Sequence, residues 1–132
     1  MSRKTVFPLL SLLALCACAA ARLDVIQVGP WFPARSWKDV AVYRSREEVR
    51  VPWGAIGIIH GPHVSAETGD RELEKMKLQA RKQAAAMGAD GVIVTVDSAV
   101  SGPDMGVYQE PEVFVSALAV KYVTEDSTPT AR

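Results

Sequence analysis

The sequence predicts an α+β domain of order β-β-α-β-β, with one main helix packed on a four-stranded mixed sheet behind an N-terminal leader. Three observations carry this reading. Leu73, Met76, Ala80, Ala84 and Met87 recur in steps of three and four, which puts them on one helical face. Gly88 ends that pattern, and Val92, Ile93, Val94 and Val96 follow as a β-branched run of the kind found in buried strands. Residues 113–123 (VFVSALAVKYV) then alternate with apolar side chains in both sets, so the last strand is long and has two apolar faces.

The length of 132 residues suits one domain. Lys plus Arg and Asp plus Glu number 15 each, and loss of Arg3 and Lys4 with the leader leaves 13 against 15, slightly acidic. Such a balance offers no phosphate-binding surface and argues against nucleic acid as a partner. Both cysteines, Cys16 and Cys18, lie near the N-terminus. The folded part therefore has no internal disulfide, thiol nucleophile or cysteine metal site.

Residues 1–17 have the layout of a secretory signal: Arg3 and Lys4, then an apolar stretch from Val6 to Leu15 that is too short to span a bilayer. Leu15-Cys16-Ala17-Cys18 resembles the lipobox of bacterial lipoproteins, with Cys16 where that motif more often has Ala or Ser. The resemblance implies that Cys18 is lipidated and becomes the acylated N-terminus. An ordinary cleaved signal and a membrane-retained anchor are the other readings of this stretch. A diacyl or triacyl cysteine gives a firm anchor, since each buried methylene contributes about 0.8 kcal/mol and one myristoyl chain alone holds only marginally. Ala19 follows Cys18, with no Asp there to resemble the usual inner-membrane retention signal. By analogy the destination is the outer membrane, with the domain facing the periplasm.

Residues 18–38 read as a lipidated tether and an aromatic segment. Residues 23–28 (LDVIQV) form a possible edge strand, and Pro30 and Pro33 exclude a helix after it. Trp31, Phe32 and Trp37 either pack on the domain or make a contact site for a partner. Fully extended, about twenty residues reach on the order of 70 Å.

The domain is expected over residues 39–123. Its first strand is residues 40–43, and its second, residues 54–59 (GAIGII), carries glycines that allow a bulge or a close helix contact. Thr68 or Asp70 can cap the helix by accepting an orphan backbone N–H, and Gly88 suits the left-handed position past its end. A right-handed crossover makes the second and third strands parallel, either adjacent or separated by one strand. Residues 101–106 read as a loop and 124–132 as a disordered polar tail. In the last strand Val113, Val115, Ala117 and Ala119 face one way, and Phe114, Leu118, Val120 and Tyr122 the other. One helix covers only one face. The other needs the aromatic segment, a second subunit or a ligand, which marks it as the best candidate binding surface.

Residues 39–45 (DVAVYRS), 52–57 (PWGAIG) and 79–94, with the core Ala-x-x-x-Gly-Ala-Asp-Gly-Val-Ile-Val, look like a set of small bacterial lipoproteins of uncharacterised function. The junction from Ala84 to Val94 also resembles the YbjQ-type domains and the Rcs envelope-stress lipoprotein. This implies the same α+β fold. The YbjQ-type domains assemble as rings, which implies a homo-oligomer as one way to cover an open sheet face. The Rcs lipoprotein staples its domain with disulfides that this chain lacks, so the resemblance does not bring stress sensing with it.

No catalytic constellation is legible. His60-Gly-Pro-His63 is the one histidine pair, and with Glu67 or Asp70 it is the candidate for a metal ion, although a strand end and a Gly-Pro turn do not force the rings to converge. Asp97, Asp104, Glu110 and Glu112 bracket a loop rather than a cleft, so paired-carboxylate hydrolysis is not expected. Gly54, Gly57 and Gly61 lack the Gly-Lys-Ser/Thr ending of a phosphate loop, and no serine has a nucleophile-elbow context. The expectation is a non-enzymatic outer-membrane lipoprotein without a cofactor. Its partner, an envelope or periplasmic protein, would meet the helix-free sheet face, with Trp31, Phe32 and Trp37 nearby. The alternative is a small-ligand or metal-binding module using His60 and His63.

Overall fold

The computed structural model describes residues 22–99 and 110–125. Cys16, Cys18, Asp104 and nearly all of the expected tail lie outside the described residues. The strands are β1 (Asp24–Gln27), β2 (Ala41–Tyr43), β3 (Trp53–His60), β4 (Val64–Ser65), β5 (Gly91–Ala99) and β6 (Glu112–Tyr122), and the helix α1 is Asp70–Ala86. They form a six-stranded mixed sheet in the order β1-β3-β6-β5-β2, with β4 also pairing β6. Because β3 and β5 both run antiparallel to β6, they are parallel to each other and separated by one strand. β2 adds to β5 in parallel.

The expected four-stranded sheet is thus two strands short. β1 was legible only as a possible edge strand, and it pairs antiparallel with β3 from Asp24. β4 is two residues long and follows the Gly61–Pro62 break, so no periodicity announces it. Through β1 the start of the N-terminal segment is part of the sheet.

α1 packs by the expected face: Met76, Ala80, Ala84 and Ala85 are buried. The alanines let the helix lie close to the sheet, where it meets Val92, Ala117, Ala119 and Ile59. Gly57 serves the same approach, since a Cβ there would come within 2.4 Å of the Met87 sulfur. The register shift between Ala55 and Gly57 is the bulge that the strand glycines allow. At the N-terminus the expectation fails. The N-cap is Gly69 without a side-chain cap bond, so neither Thr68 nor Asp70 plays that part. Asp70 and Glu72 instead place negative charge in the first turn, which the helix dipole favours.

The C-terminal end of α1 is closed by a dense set of backbone hydrogen bonds. Ala89 N–H bonds Ala84 C=O and Gly88 N–H bonds Ala85 C=O, both at 3.0 Å, which is a Schellman closure around Gly88 at φ +77°. The aromatic segment then docks on this end, with Phe32 N–H to Met87 C=O at 2.9 Å and Arg35 N–H to Ala85 C=O at 3.0 Å. Phe32 is buried in the main core, and Trp31 and Trp37 pack against that core from its edge.

Asp90 ties the same region together. Its carboxylate accepts from Arg35, from the Lys121 ammonium at 3.3 Å and from the Tyr122 N–H at 2.8 Å. Lys121 also sits 4.6 Å from the centre of the Phe32 ring and donates to Gly88 C=O. Replacing Asp90 by Asn removes the charge from a mostly buried hub with two cationic partners. The expected loss is about 2 kcal/mol, read as a lower urea midpoint at unchanged m-value.

Candidate functional site

The helix-free face of the sheet is the candidate site, and the register defines it row by row. Ile26, Ile58, Leu118, Ile93 and Tyr43 stand opposite one another across β1, β3, β6, β5 and β2. Cross-strand partners share a face, so these five make one apolar row on the side away from α1. The next row reads Asp24, His60, Ser116 and Thr95, and the one beyond pairs Phe114 with Asp97.

Half of this face is already covered, though not by the aromatic segment. Val49 is buried against Ile93 and Val120, with Tyr43, Trp53, Leu118 and Tyr122 packed around them. The cover is the connection between β2 and β3, residues 44–52, which includes a short 3-10 turn at Arg46–Glu48. Gly91 makes room for the Tyr43 ring beside this cover, because a Cβ there would meet that ring at 2.7 Å. The signal for this cover was present in Val49, an apolar residue in a polar stretch, but nothing local says which face it chooses or that Val51 stays exposed.

Trp31, Phe32 and Trp37 lie on the helix side, so the expectation that they sit beside the open face is corrected. They follow the C-terminal carbonyls of α1, which offer unpaired acceptors where the open face offers none. The half-buried Trp37 ring is flanked by Lys38, Arg81 and Lys82, with cationic centres 5.2–5.9 Å from its centre. Arg81 in turn donates to Val40 C=O at 2.9 Å and to Lys38 C=O at 3.2 Å, fixing the approach to β2.

What stays open is a groove of about 440 Å³ with Ile58, Leu118 and Ile93 on its floor, Ser116 and Thr95 at one end, and Arg44 and Arg46 along one wall. Ile26 extends the floor to the β1 edge and is 50% exposed. Beyond the hydroxyls lie the two histidines. His63 stacks on Phe114 at 4.7 Å between ring centres, and His60 tilts against the same ring at 6.2 Å. His63 Nδ1 is 3.2 Å from a Glu112 carboxylate oxygen, an exposed pair, and Ser65 donates to Glu110 at 2.6 Å. The structure therefore gathers His60 and His63 around an aromatic ring rather than around a common point. Among the described residues, no group of three or more His, Cys, Asp or Glu side chains is arranged to hold a metal ion.

At the covered end the Tyr122 and Tyr43 hydroxyls are hydrogen-bonded to each other. Burial, then the hydrogen bond to Tyr43, pushes the Tyr122 phenol up to about 12 from its usual 10. Both effects favour the neutral phenol, so the stabilisation is complete below pH 10 and is lost as pH rises through about 12. Titration of the phenolate absorbance should show a late step from Tyr122. Tyr43→Phe should move that step back toward 10 by removing the bond while leaving the burial.

No family model matches the chain. No curated protein matches it. Among solved structures it is similar to the Francisella virulence factor FvfA in an orthorhombic crystal form, with 16% identity over 74% of this chain and 97% of that chain, at a TM-score of 0.46. A likeness at this level says nothing about activity. No helix among the described residues is long and apolar enough to cross a membrane.

Proposed function

We propose that the protein is a non-enzymatic outer-membrane lipoprotein, anchored through acylated Cys18, whose open sheet face binds another envelope or periplasmic protein. One observation carries the binding part of this reading. The aliphatic row Ile26–Ile58–Leu118 runs across three strands and opens into a groove before it reaches Ile93, which is buried under the 44–52 connection. Ile26 is 50% exposed and Ile58 and Leu118 are only part-buried, so this apolar surface costs solvation free energy unless something covers it. The anchor rests on the resemblance of residues 15–18 to a lipobox.

The test is a photo-crosslinking side chain placed at Leu118 in the full, acylated chain in cells. The expected result is one discrete adduct, lost when Ile58 and Ile26 become Asp. Labelling indistinguishable from that of a probe at Glu72, on the exposed side of α1, would end the docking proposal. An adduct of twice the protein's own mass would make the partner a second copy.

A further inference from the structure

We infer that the domain stands upright on the bilayer with the 61–63 turn toward the membrane, so that the open groove serves a partner held in that same membrane. The inference rests on the proposal that Cys18 carries the lipid. Its basis is the distance from that cysteine to the first strand. As a sequence, residues 18–38 offered a tether on the order of 70 Å long. In the structure β1 begins at Asp24 and Phe32 is already in the core. Five residues lie between Cys18 and Asp24, and the six Cα steps span at most about 20 Å.

The register fixes which end is held close. Asp24 opens β1 and stands opposite His60, Ser116 and Thr95. The Gly61–Pro62 turn, His63 and Phe114 lie at that same end. Trp53, Tyr122 and Gly91 mark the opposite end, seven residues away along β3, or about 23 Å. Ile26 lies only two residues above Asp24, so the aliphatic row is within about 30 Å of the lipidated sulfur. The sheet face is then presented sideways, parallel to the membrane normal. A protein embedded in or anchored to the same bilayer, offering aliphatic side chains at that height, meets the groove with both partners confined. The partner is therefore a membrane-held protein rather than a freely diffusing one.

Two experiments test this separately. The first needs no partner. Mature acylated protein has no other free thiol, since Cys16 leaves with the leader and Cys18 is modified. A nitroxide at His63→Cys and one at Gly54→Cys are compared on phosphatidylethanolamine–phosphatidylglycerol vesicles that carry a nickel-chelating lipid. The Gly54 position has open space for the label. Strong relaxation at 63 and little at 54 is expected; equal relaxation, or the reverse order, overturns the upright orientation.

The second lengthens the tether by about twenty Gly/Ser residues after Ala21 and repeats the Leu118 crosslinking. Effective concentration falls as roughly the −3/2 power of linker length, so a fivefold longer tether should cut the adduct by about tenfold. An unchanged adduct overturns the membrane-held partner while leaving the docking face intact. No adduct at either length overturns the docking proposal itself, and this inference about its partner with it.

Discussion

Replacing Gly88 by Ala should destabilise the domain by about 3 kcal/mol or more. Two separate causes act at this position. The backbone is left-handed at φ +77°, where a Cβ costs roughly 1–2 kcal/mol. The added methyl would also lie 2.6 Å from the Pro33 carbonyl oxygen and 2.7 Å from the Phe32 carbonyl carbon and Cβ. Those are mainly backbone atoms, held in place by the Phe32 N–H bond to Met87 C=O and the Arg35 N–H bond to Ala85 C=O. They cannot step aside as the end of a flexible side chain can. The methyl therefore breaks the Schellman closure or lifts the aromatic segment from the helix end. For a domain of this size the midpoint should fall by roughly 12–24 °C. Gly54→Ala is the matched control, because a Cβ there meets nothing within 4 Å. Its midpoint should change little. A Gly88→Ala protein melting within a few degrees of the parent would show that the helix end is not built this way.

That junction was legible from the sequence because its determinants are local. The three-and-four spacing from Leu73 to Met87 and the glycine after it need no distant partner to be read. The β-branched run that follows is equally local, and the observed helix and β5 fall where these patterns put them. The two apolar faces of β6 were also legible, and with them the need for cover on both sides of the sheet. The helix as the cover of one face was legible as well, but which irregular segment joins each side was not, because that depends on tertiary fit. Phe32 and Val49 are both buried apolar residues in irregular stretches, yet one joins the helix-side core and the other the opposite cluster. Nothing in their neighbours distinguishes them. The choice follows from where the unpaired carbonyls of α1 end and where Gly91 leaves room for Tyr43. β4 escaped for a simpler reason, since two residues carry no period. His60 and His63 were candidates by residue type and spacing alone, and that they both lie against the Phe114 ring depends on the pairing of β4 and β3 with β6, which no local pattern announces.

Phe32→Ala is where the two readings of the aromatic segment part. If Phe32 belonged to a partner-binding patch, its loss would weaken capture and leave folding alone. The structure buries its ring in the main core under the helix end, with the Lys121 ammonium against one face. Removing a buried phenyl ring costs about 3–5 kcal/mol, made up of lost transfer free energy and the cavity left behind. The Lys121–ring contact adds to this, since cation–π pairs contribute about 0.5–2 kcal/mol depending on desolvation. The expected result is a loss of at least 3 kcal/mol in urea unfolding. Trp37→Phe should do far less, because that ring is only half-buried and its cationic neighbours keep an aromatic face. Any loss of crosslinking at Leu118 in the Phe32 variant should then track the unfolded fraction and return when stabilising osmolyte restores the fold. Unchanged stability with capture abolished would instead return Phe32 to the binding surface, and the helix-side location of this segment would have to be abandoned.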